Sequence, residues 1–115
     1  MMLTPYCFIY IFIMTILTKR NMSSALAART ILITGATDGI GQHTARKLAA
    51  DGNILLVHGR RSAVGTELVN DLKARGAKDA KYFNADLSDL EEVERLAREI
   101  KSSVDHIDVL INNAG

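Results

Sequence analysis

The sequence predicts an α/β fold, a doubly wound parallel sheet, and three observations carry that prediction. From residue 29 onward, short β-branched apolar runs alternate with segments of helical period. The runs are apolar at successive positions rather than at every second one, the pattern of strands covered on both faces. A glycine-rich stretch, Thr34-Gly35-Ala36-Thr37-Asp38-Gly39-Ile40-Gly41, falls directly between the first apolar run and the first helical segment.

Each element has its own signal. Thr30-Ile31-Leu32-Ile33-Thr34 is a short continuous strand run. A helix follows over 39–51, where Ile40, Thr44 and Leu48, with Ala45 and Ala49, recur at helical spacing and Gly52 stops the element. Ile54-Leu55-Leu56-Val57-His58 reads as a second buried strand. The second helix covers 62–75, with Ser62 at its N-cap, Val64, Leu68 and Leu72 on one face, and Gly76 at its end. Lys81-Tyr82-Phe83-Asn84-Ala85 is a third strand. Ser88 caps a third helix, and Glu91 completes a capping box. Leu90, Val93, Ala97, Ile100 and Val104 form that helix's apolar stripe. Asp108-Val109-Leu110-Ile111 is a fourth strand. With right-handed crossovers this β-α-β-α-β-α-β order gives sheet order 3-2-1-4, the first part of a doubly wound fold.

Composition narrows the function classes. At 115 residues one small domain is the upper limit. Fourteen Lys and Arg against 13 Asp and Glu leave no basic excess for nucleic acid. Cys7 stands alone, so there is neither a disulfide framework nor a metal-ligand cluster. His43, His58 and His106 are isolated in sequence and read as exposed or packed residues rather than ligands.

Residues 1–21 differ from the rest. Residues 1–18 carry no charged side chain and are mostly apolar, and Lys19-Arg20 closes the run. Three readings stand. A membrane anchor fits the short apolar run, with the basic pair holding the following domain on the cytoplasmic side. A translation start at Met22 makes everything before it a mis-annotated leader. A cleaved signal peptide has Ala25-Leu26-Ala27 as its cleavage site but lacks the preceding basic region. The domain expected from 22–115 is accordingly cytoplasmic, or anchored and facing the cytoplasm.

In a doubly wound fold, ligands lie beyond the carboxyl ends of the strands. The glycine stretch sits at that end. Gly35 allows the tight turn, Gly39 lets backbone approach a pyrophosphate, and Gly41 lets the helix pack closely on the sheet. The helix N-terminus then turns free N–H groups and its positive dipole end toward phosphates. Strand before, helix after and a βαβ unit of the right length are the context this Rossmann-type motif requires.

The spacing Thr34-Gly35-x-x-x-Gly39-Ile40-Gly41 resembles the cofactor motif of the short-chain dehydrogenase/reductase family. Asn112-Asn113-Ala114-Gly115 is similar to the same family's signature after strand four, and Asp86-Leu87 matches its adenine-contacting position. The resemblance runs from about Arg29 to Gly115. Gly59-Arg60-Arg61 and Asp86-Leu87-Ser88-Asp89 are most similar to the branch with retinol dehydrogenase-like members. The resemblance implies a nicotinamide dinucleotide site built from Gly35, Thr37, Asp38, Gly39, Ile40, Gly41, Arg60, Arg61, Asp86, Leu87, Asn113, Ala114 and Gly115.

At the end of strand two, an acid accepts hydrogen bonds from the ribose 2′-hydroxyl of NAD, whereas an arginine pairs with the 2′-phosphate of NADP. Gly59-Arg60-Arg61 contains no acid. NADP is therefore expected rather than NAD, with Arg60 the first partner and Arg61 the second. Asp38 works against this, because NADP-using relatives often carry a basic or neutral residue there.

The family's catalytic pair is Tyr-x-x-x-Lys, in which the tyrosine is the general acid/base. Tyr6, Tyr10 and Tyr82 are followed four residues later by Tyr10, Met14 and Asp86, so the pair is absent from these 115 residues. The expectation is the cofactor-binding half of an oxidoreductase interconverting an alcohol and a ketone or aldehyde. The chain is expected to be a fragment, truncated after strand four with Val109-Leu110-Ile111 on a bare edge. The alternative is a non-catalytic short form that binds nucleotide weakly or pairs with a full-length relative.

Overall fold

The computed structural model describes residues 28–114. The leader over 1–21, the alternative start at Met22 and the final Gly115 lie outside the described residues. Four strands, β1 (Thr30–Ile33), β2 (Ile54–Gly59), β3 (Asp79–Asn84) and β4 (Val109–Ile111), alternate with three helices, α1 (Gly39–Ala49), α2 (Ser62–Ala74) and α3 (Leu90–Ser103). The sheet is parallel and its order is β3-β2-β1-β4, as the crossover rule predicts.

Both faces of the sheet are buried and apolar. Leu32 pairs with Leu56 on one side and Leu110 on the other. These residues share one face with Phe83, Leu87, Val93, Leu96 and Ile100, so α3 covers that face. Ile31, Ile33, Leu55 and Val57 point to the opposite face and pack with Ala45, Ala49, Leu68 and Leu72 of α1 and α2. A slip of one residue in any strand would exchange the two faces, but both are apolar. The polar groups at the strand ends therefore help to fix the register. At the amino end, the Asp108 carboxylate accepts the Thr30 N–H at 2.8 Å, and the Asp108 N–H donates to the Thr30 carbonyl at 2.8 Å. Between the helices, Asp71 accepts from Arg46 at 2.7 Å and from Arg75 at 3.0 Å, and the Arg46 hydrogen bond leads in holding its carboxyl below the ordinary value.

Several boundaries differ from the sequence reading. The first helix ends at Ala49 and the second at Ala74. The third strand runs from Asp79 to Asn84, and the fourth begins at Val109. Ser62 is the first residue of α2 and Arg61 its N-cap, with no side-chain cap. The Ser62 hydroxyl instead accepts from the Asn84 side chain at 3.3 Å. The capping box at Ser88 does not form. Asp89 is the N-cap of α3, and its Oδ1 accepts the Glu91 N–H at 3.0 Å. The Ser88 hydroxyl lies one residue before the cap and is turned back to Asp86, donating to its Oδ1 at 2.7 Å. Ile40 and Leu90, expected on apolar stripes, are 78% and 56% exposed. Each lies in the first turn of its helix, beyond the reach of the sheet.

Asp89→Ala is expected to lower stability by about 1 kcal/mol through loss of the cap. Ser88→Ala should change it by less than about 0.5 kcal/mol, the usual effect of a surface substitution. Urea unfolding of both variants measures this; a larger loss for Ser88→Ala would return the cap to the serine.

Candidate functional site

The carboxyl ends of all four strands meet at a cavity of about 660 Å³. Its wall contains Gly35, Thr37, Asp38 and Gly39 of the glycine loop, and His58, Gly59, Arg60 and Arg61 at the end of β2. Ala85, Asp86 and Leu87 follow β3, and Asn113 and Ala114 follow β4. Most residues expected at the site are thus brought together. Ile40 and Gly41 do not line the cavity, and Gly115 lies outside the described residues.

The loop is held from beneath by one hydroxyl. Thr34 is fully buried. Its Oγ1 donates to Asn112 Oδ1 at 3.2 Å and accepts the N–H groups of Asn113 and Ala114, each at 3.1 Å. The Asn113 side chain in turn donates to the Gly35 carbonyl at 3.1 Å. Gly41 sits against this junction: a Cβ there would lie 2.5 Å from the Gly35 carbonyl oxygen and 2.6 Å from Asn113 Nδ2. Gly41 therefore serves close packing, as its place in the motif predicts. Gly39 has φ of +50° and open space where a Cβ would stand, so its bare backbone faces the cavity.

Electrostatics divide the three helices. The α1 N-cap, Asp38, makes no side-chain cap, and the first turn holds no acid. The N-terminus of α2 is likewise uncapped and without acids. By contrast, α3 has its Asp89 cap and Glu91 and Glu92 in the first turn. The first two helices therefore present unsatisfied N–H groups and positive dipole ends, the condition for holding an anion.

The two arginines are not equivalent. Arg61 donates to the Thr37 carbonyl at 3.0 Å and pairs with the Asp38 carboxylate at 3.5 Å. Among the described residues, no hydrogen bond or ion pair engages the Arg60 guanidinium, which is exposed at the cavity mouth. Asp86 accepts from the Ser88 hydroxyl at 2.7 Å and the Ser88 N–H at 3.0 Å. These bonds, first the hydroxyl and then the amide, hold its carboxyl below the ordinary carboxylate value, and Arg60 adds to the effect. Asp86 is thus an anion at the far side of the cavity.

Sequence reasoning missed His58, Gly59 and the role of Thr34. His58 is buried, with Nδ1 3.1 Å from the Gly35 nitrogen and Nε2 2.8 Å from the Ala85 carbonyl oxygen. Gly59 leaves room for the Thr37 side chain, which a Cβ would strike. The signal for both was their place at the carboxyl end of β2, where side chains stand over the crevice. Among the described residues no group of three or more His, Cys, Asp or Glu could hold a metal ion. No helix among them is long and apolar enough to cross a membrane.

Comparison with known proteins matches this geometry. A family model described as "short chain dehydrogenase" matches residues 29–115. The chain is 39% identical over 87 residues to a fatty acyl-CoA reductase from Acinetobacter baylyi, covering 76% of this chain and 29% of that protein. Among solved structures, an NADH-dependent reductase A1-R′ complexed with NAD is 37% identical with a TM-score of 0.67, covering 77% of this chain and 37% of that one. A Pseudomonas aeruginosa RhlG/NADP active-site complex is 34% identical with a TM-score of 0.71, covering 78% and 36%. The chain thus spans about a third of the length of the relatives it matches.

Gly41→Ala is expected to destabilise by about 1–3 kcal/mol, because the Gly35 and Asn113 groups must move. Gly39→Ala, whose Cβ meets nothing within 4 Å, should cost only its backbone strain, about 1 kcal/mol. Thermal unfolding separates the two, and an equal or smaller loss at Gly41 would show that the close packing is not restrictive.

Proposed function

The chain belongs to the short-chain dehydrogenase family, and we propose that its described residues form the NADP-binding part of an oxidoreductase interconverting an alcohol and a ketone or aldehyde. The observation that carries this is the cavity beyond the carboxyl ends of the strands. It joins a bare glycine backbone, two uncapped helix N-termini and an unengaged arginine in one wall.

These groups fit a dinucleotide. Gly35 and Gly39 at the start of α1 would hold the pyrophosphate, where free N–H groups and the helix dipole would offset its charge. Leu87 supplies an apolar wall for adenine and Asp86 an acceptor. Asn113 and Ala114, which line the cavity after β4, would border the path toward the nicotinamide. When bound, the cofactor supplies or accepts a hydride; this chain's residues bind and orient it. The tyrosine and lysine that the resemblance requires for proton transfer are absent from these 115 residues.

The preference for NADP rests on Arg60. Its guanidinium is free to take a 2′-phosphate bidentately, while Arg61 is already shared between Thr37 and Asp38. The solved relatives include an NAD complex and an NADP complex, so membership of the family leaves this choice to the residues. The wording of Gly59-Arg60-Arg61 and Asp86-Leu87-Ser88-Asp89 supports the retinol dehydrogenase-like branch.

Calorimetric titration with NADP and NAD tests the reading. Arg60→Ala is expected to weaken NADP by about ten- to a hundredfold, the value of one charge-assisted pair, and NAD by little. Equal losses for both cofactors would remove the preference. Failure of both cofactors to bind the unaltered chain would remove the proposal itself.

A further inference from the structure

His58 has no place in the motifs that define the dinucleotide site, yet it touches the loop that forms the site's floor. It is the penultimate residue of β2 and is 3% exposed. Its imidazole lies across the carboxyl end of the sheet. On one side Nδ1 receives the Gly35 N–H at 3.1 Å; on the other Nε2 meets the Ala85 carbonyl at 2.8 Å. Its own carbonyl accepts the Ala36 N–H at 2.8 Å. One residue therefore takes the first two amides of the glycine loop and ties them to the end of β3.

Both ring contacts are satisfied in only one protonation state. The Gly35 amide is a donor, so Nδ1 must carry a lone pair. The Ala85 carbonyl is an acceptor, so Nε2 must carry the proton. A doubly protonated ring would set an N–H against the Gly35 N–H in a site closed to water. Burial is the leading cause that holds the imidazole below its ordinary value of 6.5; the Ala85 carbonyl opposes this, and the charge of Arg60 adds to it. The other charged groups around the cavity are Asp38 and Arg61, which pair with each other, and Asp86, which is bonded to Ser88.

We propose that His58 is a positioning residue for the dinucleotide site: its neutral imidazole latches the glycine loop to the end of β3 and presets the backbone on which the phosphates lie. This rests on the dinucleotide reading above. Protonation opens the latch, because the Gly35 amide loses its acceptor. The folded ring takes up its proton less readily than the unfolded one. The latch therefore contributes fully above 6.5 and is lost as the pH falls through the lower folded value. The phosphates' negative charge acts in the opposite direction, drawing a proton onto the ring. The two effects give opposite pH dependences of binding, which makes the proposal testable.

The experiment is calorimetric titration of the 115-residue chain with NADP between about pH 7.5 and about pH 5, the range in which histidine changes charge. It is repeated for His58→Ala and His58→Asn. The unaltered chain is expected to lose about tenfold in affinity toward the acid end, the value of the one hydrogen bond to a buried donor that protonation breaks. His58→Asn, which keeps an acceptor near Nδ1 but cannot titrate, should retain most of the neutral-pH affinity with a flatter profile. His58→Ala should bind about tenfold more weakly at neutral pH, the value of one lost hydrogen bond to a buried donor. The 2′-phosphate of NADP itself changes charge at about pH 6, as phosphate monoesters do, so the slope assigned to His58 is the difference between the unaltered chain and His58→Asn.

Ring nitrogen NMR shifts of the unaltered chain give a second measurement that does not depend on the variants folding. They should show the neutral Nε2–H form at neutral pH, and a cation or the Nδ1–H form there would overturn the latch. So would constant or tighter NADP binding in acid, or variants that match the parent in strength and profile. Absence of NADP binding by the parent at every pH would overturn the dinucleotide reading and this proposal with it. NADP binding that ignores His58 overturns this proposal alone.

Discussion

The buried hydroxyl of Thr34 is the junction on which the site depends. It lies where β1 ends and the glycine loop begins, and it bonds to three successive residues beyond β4, almost eighty positions away in sequence. A hydroxyl has one proton and two lone pairs, and here all three are used. An interior that shielded these amides from water without a partner would cost about 1–3 kcal/mol for each. The loop after β4 must therefore close onto the start of the glycine loop. The Asn113 side chain extends the connection to the Gly35 carbonyl, and Gly41 is the residue that lets α1 approach the same point. Two segments distant in sequence thus form one floor.

Around that floor, charge is distributed by strand order. The crevice lies beyond the carboxyl ends of β1 and β4, which are neighbours in the sheet though far apart in sequence. The first two helices begin there without caps and without acids, whereas α3 starts with an aspartate cap and two glutamates. Asp38 appeared in the sequence to oppose a phosphate near the ribose. In the structure it pairs with Arg61, which also holds the Thr37 carbonyl, so the two charges offset each other at the loop. Arg60 remains exposed at the mouth. This pair is solvent-exposed and contributes little to stability. Its consequence is to make two adjacent arginines chemically unlike.

Sequence periodicity made most of the fold legible. Continuous apolar runs require cover on both faces, and helical stripes supply that cover. The errors fell at helix starts, where local chemistry decides between neighbours of similar type. Ser88 and Asp89 are both competent caps. The serine is diverted by the carboxylate of Asp86, a contact that depends on how the chain turns after β3. Ile40 and Leu90 fit a helical stripe by spacing, but a stripe says nothing about where the sheet ends, and both residues extend past it.

The sequence by itself determined the parallel sheet, its order, the glycine loop and the family, because these follow from hydrophobic period, chain connectivity and short motifs. Tertiary structure alone decided the role of His58, the division of labour between Arg60 and Arg61, and the use of the Thr34 hydroxyl. Each of these depends on which polar atom lies within about 3 Å of which other, the reach of a hydrogen bond. No local pattern encodes a distance between residues on different strands. It appears only once the strands are packed in register.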